Sequence, residues 1–257
     1  MLTSIQLIGK NFLKFTSSLG ILTIFIGKTF IGLSHRPIYF SLIVRQFIFI
    51  GFYSLPVVAM TSFFSGAVLA LQSYSGFSRF SAESSIATVV VLSITRELGP
   101  VMAGLMVAGR VGASIAAEIA TMRVTEQIDA LYTLSTDPIK YLVAPRVIAA
   151  IISLPCLVFI GDIIGVMGGY LVSVYKLGFN STAYIINTIQ YLEMMDVISG
   201  LVKAAAFGFI IAIMSCYFGY YSSKGAKGVG AATTYAVVSS SIMILISNYL
   251  ITAIFFS

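Results

Sequence analysis

The chain has 257 residues, of which 58% are hydrophobic and only 9% charged, and its mean hydropathy is +1.01. Soluble domains of this size carry about 25% charged residues, so the apolar excess excludes a single water-soluble core and reads as an all-α integral membrane protein. The net charge of +6 gathers into no basic patch, since most Lys and Arg flank apolar runs, and this argues against a nucleic-acid partner.

In chain order, residues 4–34 read as a helix lying along or dipping into the cytoplasmic interface, within an interfacial N-terminal segment 1–45. Lys10 and Lys14 before the apolar run Phe15–Gly27 imitate a secretory leader, but Lys28 interrupts the run and no small-residue cleavage site follows. An ordinary first span is the alternative. His35, the single histidine, falls in a polar juxtamembrane stretch and reads as solvated. A first span covers Gln46–Gln72, about 40 Å as a helix, with Pro56 as a candidate kink. A second covers Ser84–Ala117, at about 50 Å longer than a bilayer needs. It either projects from the membrane or breaks near Gly99-Pro100. Val147–Tyr175, Ile198–Ser222 and Val229–Phe256 complete the set. The expected architecture is one domain, 1–257, with an interfacial N-terminal helix plus five transmembrane helices. The polar stretch 118–146 lies between the second and third spans.

Orientation follows the distribution of Lys and Arg. With the N-terminus inside, the inner segments hold ten (Lys10, Lys14, Lys28, Arg36, Arg45, Arg123, Lys140, Arg146, Lys224, Lys227). The outer ones hold three, namely Arg79, Lys176 and Lys203. The N-terminus and residues 118–146 are therefore expected in the cytoplasm and the C-terminus outside. Asn180-Ser181-Thr182, on the outer side, matches a glycosylation acceptor, a short pattern of little weight. Gly161, Gly165 and Gly169, and likewise Ala108, Gly112 and Ala116, recur every fourth residue, which gives faces where helices approach closely in lipid. No internal repeat is evident, which disfavours an inverted-repeat transporter.

Charges inside spans ask for an explanation, since each costs about 2.5–3.5 kcal/mol on insertion scales. Arg96 and Glu97 are neighbours, hence about 100° apart on a helix and not partners for each other. They mark either a polar spot in an internal cavity that meets a charged head group, or ion pairs that fix packing. Arg110 and Glu118 share a face near the cytoplasmic end and read as structural, Glu118 bracing the polar stretch. Asp162 pairs with Arg110 across helices or serves as a proton site, the pairing being preferred. Cys156 and Cys216 sit in apolar runs as small hydrophobes, and no metal site, disulfide framework or cofactor is expected.

Within Glu118–Arg146, Thr125 is a candidate N-cap, with Glu126 and Asp129 in the first turn. Ile128, Leu131, Tyr132 and Leu134 form an apolar stripe, and Ser135-Thr136-Asp137-Pro138 ends the helix. Such an amphipathic helix docks either on a partner or on lipid.

Several stretches together resemble the MlaE (YrbE-type) permeases: Arg96-Glu97-Leu98-Gly99-Pro100, Ala108-Gly109-Arg110-Val111-Gly112-Ala113, Ala116-Ala117-Glu118-Ile119, Val124-Thr125-Glu126-Gln127-Ile128-Asp129-Ala130-Leu131, Asp137-Pro138-Ile139 and Ala144-Pro145-Arg146. Ser81-Ala82-Glu83-Ser84 fits as well. The likeness extends from about Val44 to the C-terminus and is densest over residues 80–146. It implies the permease subunit of an ATP-driven phospholipid ABC transporter in a bacterial inner membrane, moving lipid between inner and outer membranes. The expected assembly is a homodimer with an ABC ATPase, an MCE-domain periplasmic subunit and, in many members, a STAS-domain subunit. It further implies that 118–146 is a coupling segment in which Glu126, Gln127, Asp129, Ala130 and Leu131 meet the ATPase. Arg96, Glu97, Leu69, Phe77 and Phe80 would belong to an outward-open lipid pocket. Phe80 stands where the family can have a tyrosine, so a hydroxyl contact there is missing. The chain has no G-x-x-x-x-G-K-[ST] phosphate loop, so ATP-driven transport would require hydrolysis on another polypeptide. A proton- or ion-coupled secondary transporter using Asp162 and Glu97 is the alternative. A membrane enzyme lacks the clustered nucleophile, base or metal ligands it would need.

Overall fold

The computed structural model describes residues 2–34, 39–78 and 85–256. His35, Phe80 and the 81–84 stretch lie outside them. Helix α1 is Leu2–Ser34. Helices α2 (Phe40–Ile50) and α3 (Leu55–Phe77), joined by a 3-10 turn at Phe52–Ser54, form one long apolar rod. Helices α4 (Ile86–Ser93), α5 (Gly99–Val107) and α6 (Ala113–Val124) form a second, interrupted only by the wide π turns Ile94–Leu98 and Ala108–Gly112. After the short α7 (Gln127–Thr133), a third rod runs through a π turn at Ile139–Val143, α8 (Ala144–Leu171) and a π turn at Val172–Lys176. Helices α9 (Ser181–Tyr191), α10 (Met194–Tyr220) and α11 (Ala226–Phe256) complete the chain. Among the described residues, six helices are long and apolar enough to cross a membrane, Thr16–Leu33 of α1 included. An N-terminal helix plus five others is the architecture that the sequence predicts, and no strand occurs among the described residues. Helix α1 rests on the bundle through Phe25, fully buried against the rings of Tyr217, Tyr220 and Tyr221.

Prolines account for three of the irregular turns, those at Phe52–Ser54, Ile94–Leu98 and Ile139–Val143. Proline lacks an N–H and its ring clashes with the carbonyl four residues back, so it fits the first turn of a helix and disrupts an interior. Pro56, Pro100 and Pro145 each stand second in an α-helix that follows a 3-10 or π turn. The widened π turn shifts the hydrogen-bond ladder, and the second rod therefore passes Gly99-Pro100 without the break that one reading of the sequence allows. In the first rod the irregularity falls at Phe52–Ser54, just before Pro56.

Packing follows the small residues. A side chain on Gly66 or Gly168 would strike the backbone of Gly165 or Phe63 respectively, so α3 and α8 touch main chain to main chain. Gly161 faces Ser62 and Val58. Gly112 faces Ser215 and Ile211, and Gly219 lies against Ala116, which joins the second rod to α10. Large apolar side chains such as Val68, Ile163, Met167, Ile242 and Ile246 point outward, an arrangement suited to lipid.

Helix α9 is an element that the sequence reading missed. Asn180 caps it, its side-chain Oδ1 accepting from the N–H groups of Thr182 (2.9 Å) and Ala183 (3.2 Å). The Asn-Ser-Thr string is thus a helix start, the usual N-cap chemistry.

Candidate functional site

Two arrangements stand out. The first is built on the π turn Ile94–Leu98. Arg96 and Glu97 do not pair with each other; both reach to α10. The Arg96 guanidinium donates to Asp196 Oδ1 through Nε (2.7 Å) and Nη2 (2.7 Å) and lies 4.5 Å from the centre of the Phe256 ring. Lys203 Nζ donates to Glu97 Oε1 (2.8 Å) and to the Arg96 carbonyl (2.7 Å). From α11, Asn248 Nδ2 donates to Glu97 Oε2 (2.7 Å) and the Thr252 hydroxyl to Oε1 (2.9 Å). Asp196 also accepts from the Glu193 N–H (3.1 Å), completing a capping box at the start of α10. Asp196 and Lys203 are fully buried, whereas the side chains of Arg96 and Glu97 keep 33% and 39% of their exposure. Two cations and two anions make the cluster neutral. It joins three helices and still presents one charge of each sign at an accessible surface.

Leu69 and Phe77 pack on the core of Ala70, Ile86, Val90 and Ile94, the last of which stands in the same π turn. Phe80 lies outside the described residues. Asp196 and Lys203 are the residues that sequence reasoning missed. Lys203 was expected in an outer flanking segment, yet it is buried in α10 beside Glu97. A lone lysine within an apolar run opposite a lone glutamate in another was the available signal.

The structural charges are also rearranged. Arg110 does not meet Asp162; its Nη1 donates to Ser54 Oγ (2.7 Å) and its guanidinium faces the Phe49 ring. Asp162, 7% exposed, packs against Gly99 with Oδ1 lacking a hydrogen-bond partner. The two residues approach different neighbours because α8 meets the second rod at the Gly99 level, three turns from Arg110. Glu118 pairs with Arg146 Nη2 at 2.9 Å.

The second arrangement is the exposed connection around α7. Thr125 does not cap α7. It closes α6, its hydroxyl donating to the Thr121 carbonyl (2.9 Å), because Glu126 turns into the left-handed region (φ 59°) and takes the position before α7. Ile128 is fully buried and anchors the helix. Arg123 pairs with Asp129 (2.6 Å), and the Tyr132 and Tyr220 hydroxyls meet at 2.8 Å. Glu126, Gln127, Asp129 and Ala130 are exposed and Leu131 is half-buried. Tyr132 and Leu134, the rest of the expected apolar stripe, are exposed as well.

Comparison with known proteins settles the family. The family model described as permease MlaE matches residues 43–254. This chain belongs to the MlaE permease family. It is 76% identical over 251 residues to a probable ABC transporter permease protein of Rickettsia prowazekii, covering 98% of this chain and 97% of the relative. A probable ABC transporter permease protein of Synechocystis is 43% identical over 213 residues, covering 83% and 81%. The intermembrane phospholipid transport system permease protein MlaE of Haemophilus influenzae is 34% identical over 255 residues, covering 98% and 97%. This MlaE permease is therefore a multi-pass membrane protein and a transport component of the ABC class rather than an enzyme, and such a permease works with an ATPase.

Proposed function

We propose that this permease forms the membrane path of an ATP-driven phospholipid transporter between inner and outer membranes. It acts as a homodimer with an ABC ATPase on the α7 side and an MCE-domain subunit on the opposite side, with a STAS-domain subunit as a further partner. In this reading the chain sits in a bacterial inner membrane with its N-terminus cytoplasmic and its C-terminus periplasmic. The observation that carries the reading is the mechanical link from α7 to the Arg96–Glu97 cluster. Tyr132 ties α7 to Tyr220 at one end of α10, and the other half of α10 holds Asp196 and Lys203. A push on α7 by the ATPase thus reaches the counter-charges of Arg96 and Glu97 along a single helix. Binding of nucleotide elsewhere can bias the pocket only through such differential contacts.

At the pocket, the half-exposed Arg96 offers a phosphate its guanidinium edge, and Glu97 meets an ammonium-bearing head group. Leu69 and Phe77, with Phe80 nearby in sequence, would accept acyl chains. The test is extraction of the chain from its native membrane, followed by identification of co-purifying proteins and lipid, and by lipid-transfer assays in liposomes. An ATPase and phospholipid in one complex, with transfer that needs ATP, is the expected outcome. A chain that purifies alone and transports without any ATPase overturns the proposal.

A further inference from the structure

At the α7 end of the bundle, α2, α6 and α8 enclose a cavity of about 460 Å³. It lies on the same rod as Arg96 but far from it: Glu118 on its wall is 22 residues along, about 33 Å at 1.5 Å per residue. The cavity is therefore near the opposite membrane surface from the Arg96–Glu97 cluster.

Its chemistry is amphipathic. Arg45 from α2 and Arg146 from α8 both line it, with Glu118 as the sole carboxylate on the wall among the described residues. Arg146 is only 4% exposed; it donates to the Leu142 carbonyl (2.7 Å) and pairs with Glu118, while its Nε is buried without a partner. Gln46 Oε1, also on this wall, is likewise buried and unpaired. Arg45 is exposed and makes no ion pair with a described residue. Outside the lining, the guanidinium of Arg110 faces the ring of Phe49, a wall residue, at 5.9 Å. Buried polar atoms are nearly always satisfied in folded proteins, so an unpaired Nε beside an excess of positive charge asks for an anionic acceptor. Leu42, Phe49 and Met122 supply an apolar side to the same space.

Depth identifies the source of that acceptor. Arg45 is five residues in from the start of α2, Glu118 six from the end of α6, and Arg146 seven from Ile139. At 1.5 Å per residue these are all about 8–10 Å from the ends of their helices, the level of a head-group layer. The geometry points to a second lipid site, specific for a net-anionic phospholipid: the phosphate sits on Arg45 and Arg146, and the start of an acyl chain runs along Leu42, Phe49 and Met122. The site is independent of the transport reading, because it uses none of the Arg96 cluster.

The test uses the permease with its native partners in phosphatidylcholine nanodiscs doped with a photoactivatable phosphatidylglycerol. Labelling of peptides spanning 42–49 and 141–146 is expected, and unlabelled phosphatidylglycerol should remove it where phosphatidylcholine does not. Arg45→Glu should lower the labelling about five-fold or more, the order expected for one arginine at an anionic surface, while Arg45→Lys retains most of it and Arg96→Gln leaves it unchanged. Arg45 is exposed, so its replacement leaves the bundle folded. Labelling that is indifferent to Arg45→Glu, or that excess unlabelled phosphatidylglycerol fails to remove, overturns the proposal. Displacement by millimolar inorganic phosphate also overturns it, by assigning the cavity to a soluble anion. Loss of labelling with Arg96→Gln would instead place the probe in the transport pocket.

Discussion

Lys203 Nζ, with its side chain wholly removed from solvent, lies 2.8 Å from Glu97 Oε1, whose own side chain keeps 39% of its exposure. The pair is therefore asymmetric. Removing the glutamate charge leaves a buried ammonium with only neutral acceptors, whereas removing the lysine leaves a carboxylate that still holds Asn248 and Thr252. Glu97→Gln should destabilise by about 3–5 kcal/mol, the range for breaking a buried pair. Lys203→Met should cost distinctly less, and the double variant should recover part of the loss. Thermal unfolding in detergent decides this, and equal damage from the two single changes would refute the asymmetry.

The backbone contact between α3 and α8 gives a second test. Gly66→Ala drives a methyl group into the Gly165 carbonyl, so the helices must part; the loss should be at least about 1–3 kcal/mol, the usual range for overpacking. Gly109→Ala, with nothing within 4 Å of the new carbon, should stay within about 0.5 kcal/mol of the parent. Melting temperatures of the two variants should differ clearly, and similar values would mean that the close approach is dispensable.

Tyr132→Phe removes one hydrogen bond to Tyr220 and no apolar surface. The expected loss of stability is about 1 kcal/mol, with ATP hydrolysis retained but lipid transfer per ATP reduced. Measuring both activities in one reconstituted preparation tests the link between α7 and α10. Unchanged coupling would show that α7 reaches the cluster by another route.

Glu126 occupies the left-handed region at φ 59°, a conformation that costs a side-chain-bearing residue roughly 1 kcal/mol or more. Glu126→Gly should leave stability equal or higher while weakening ATPase docking, since a charge is lost without strain. Asp129→Ala should weaken docking with no such gain in stability. Binding of the purified ATPase to each variant is the measurement, and full affinity in both would remove these residues from the interface.

Much of the bundle is legible in the sequence because lipid-exposed helices must be apolar over a fixed length, as Gln46–Gln72 and Val229–Phe256 are. The exposed α7 is legible from Ile128 and its flanking acids. The partners of buried charges are not legible, because they are set by three-dimensional packing across a hundred residues. Arg96 finds Asp196, and Asp162 meets Gly99 instead of Arg110. Thr125 misleads for a different reason: a left-handed Glu126 ends one helix and opens the next, so the hydroxyl turns back to Thr121. Asn180-Ser181-Thr182 carries its own helix-start signal, masked by a competing pattern. Leu69 and Phe77 pack with α4 and Ile94, a placement that spacing along the chain does not encode.

Helix α10 carries Asp196 and Lys203 seven residues apart, two turns on one face, each matched to a residue made about a hundred positions earlier. Sliding α10 along the second rod would part both pairs at once, so the match fixes its axial position. It also bears on the order of biogenesis. A lysine within a nascent span resists entry into the bilayer by about 3 kcal/mol, and Glu97 is already in place to receive it when α10 leaves the ribosome. The early half of the chain thus acts as an insertion guide for the late half, and α10 expressed behind a neutral leader should enter membranes poorly until the second span is supplied with it.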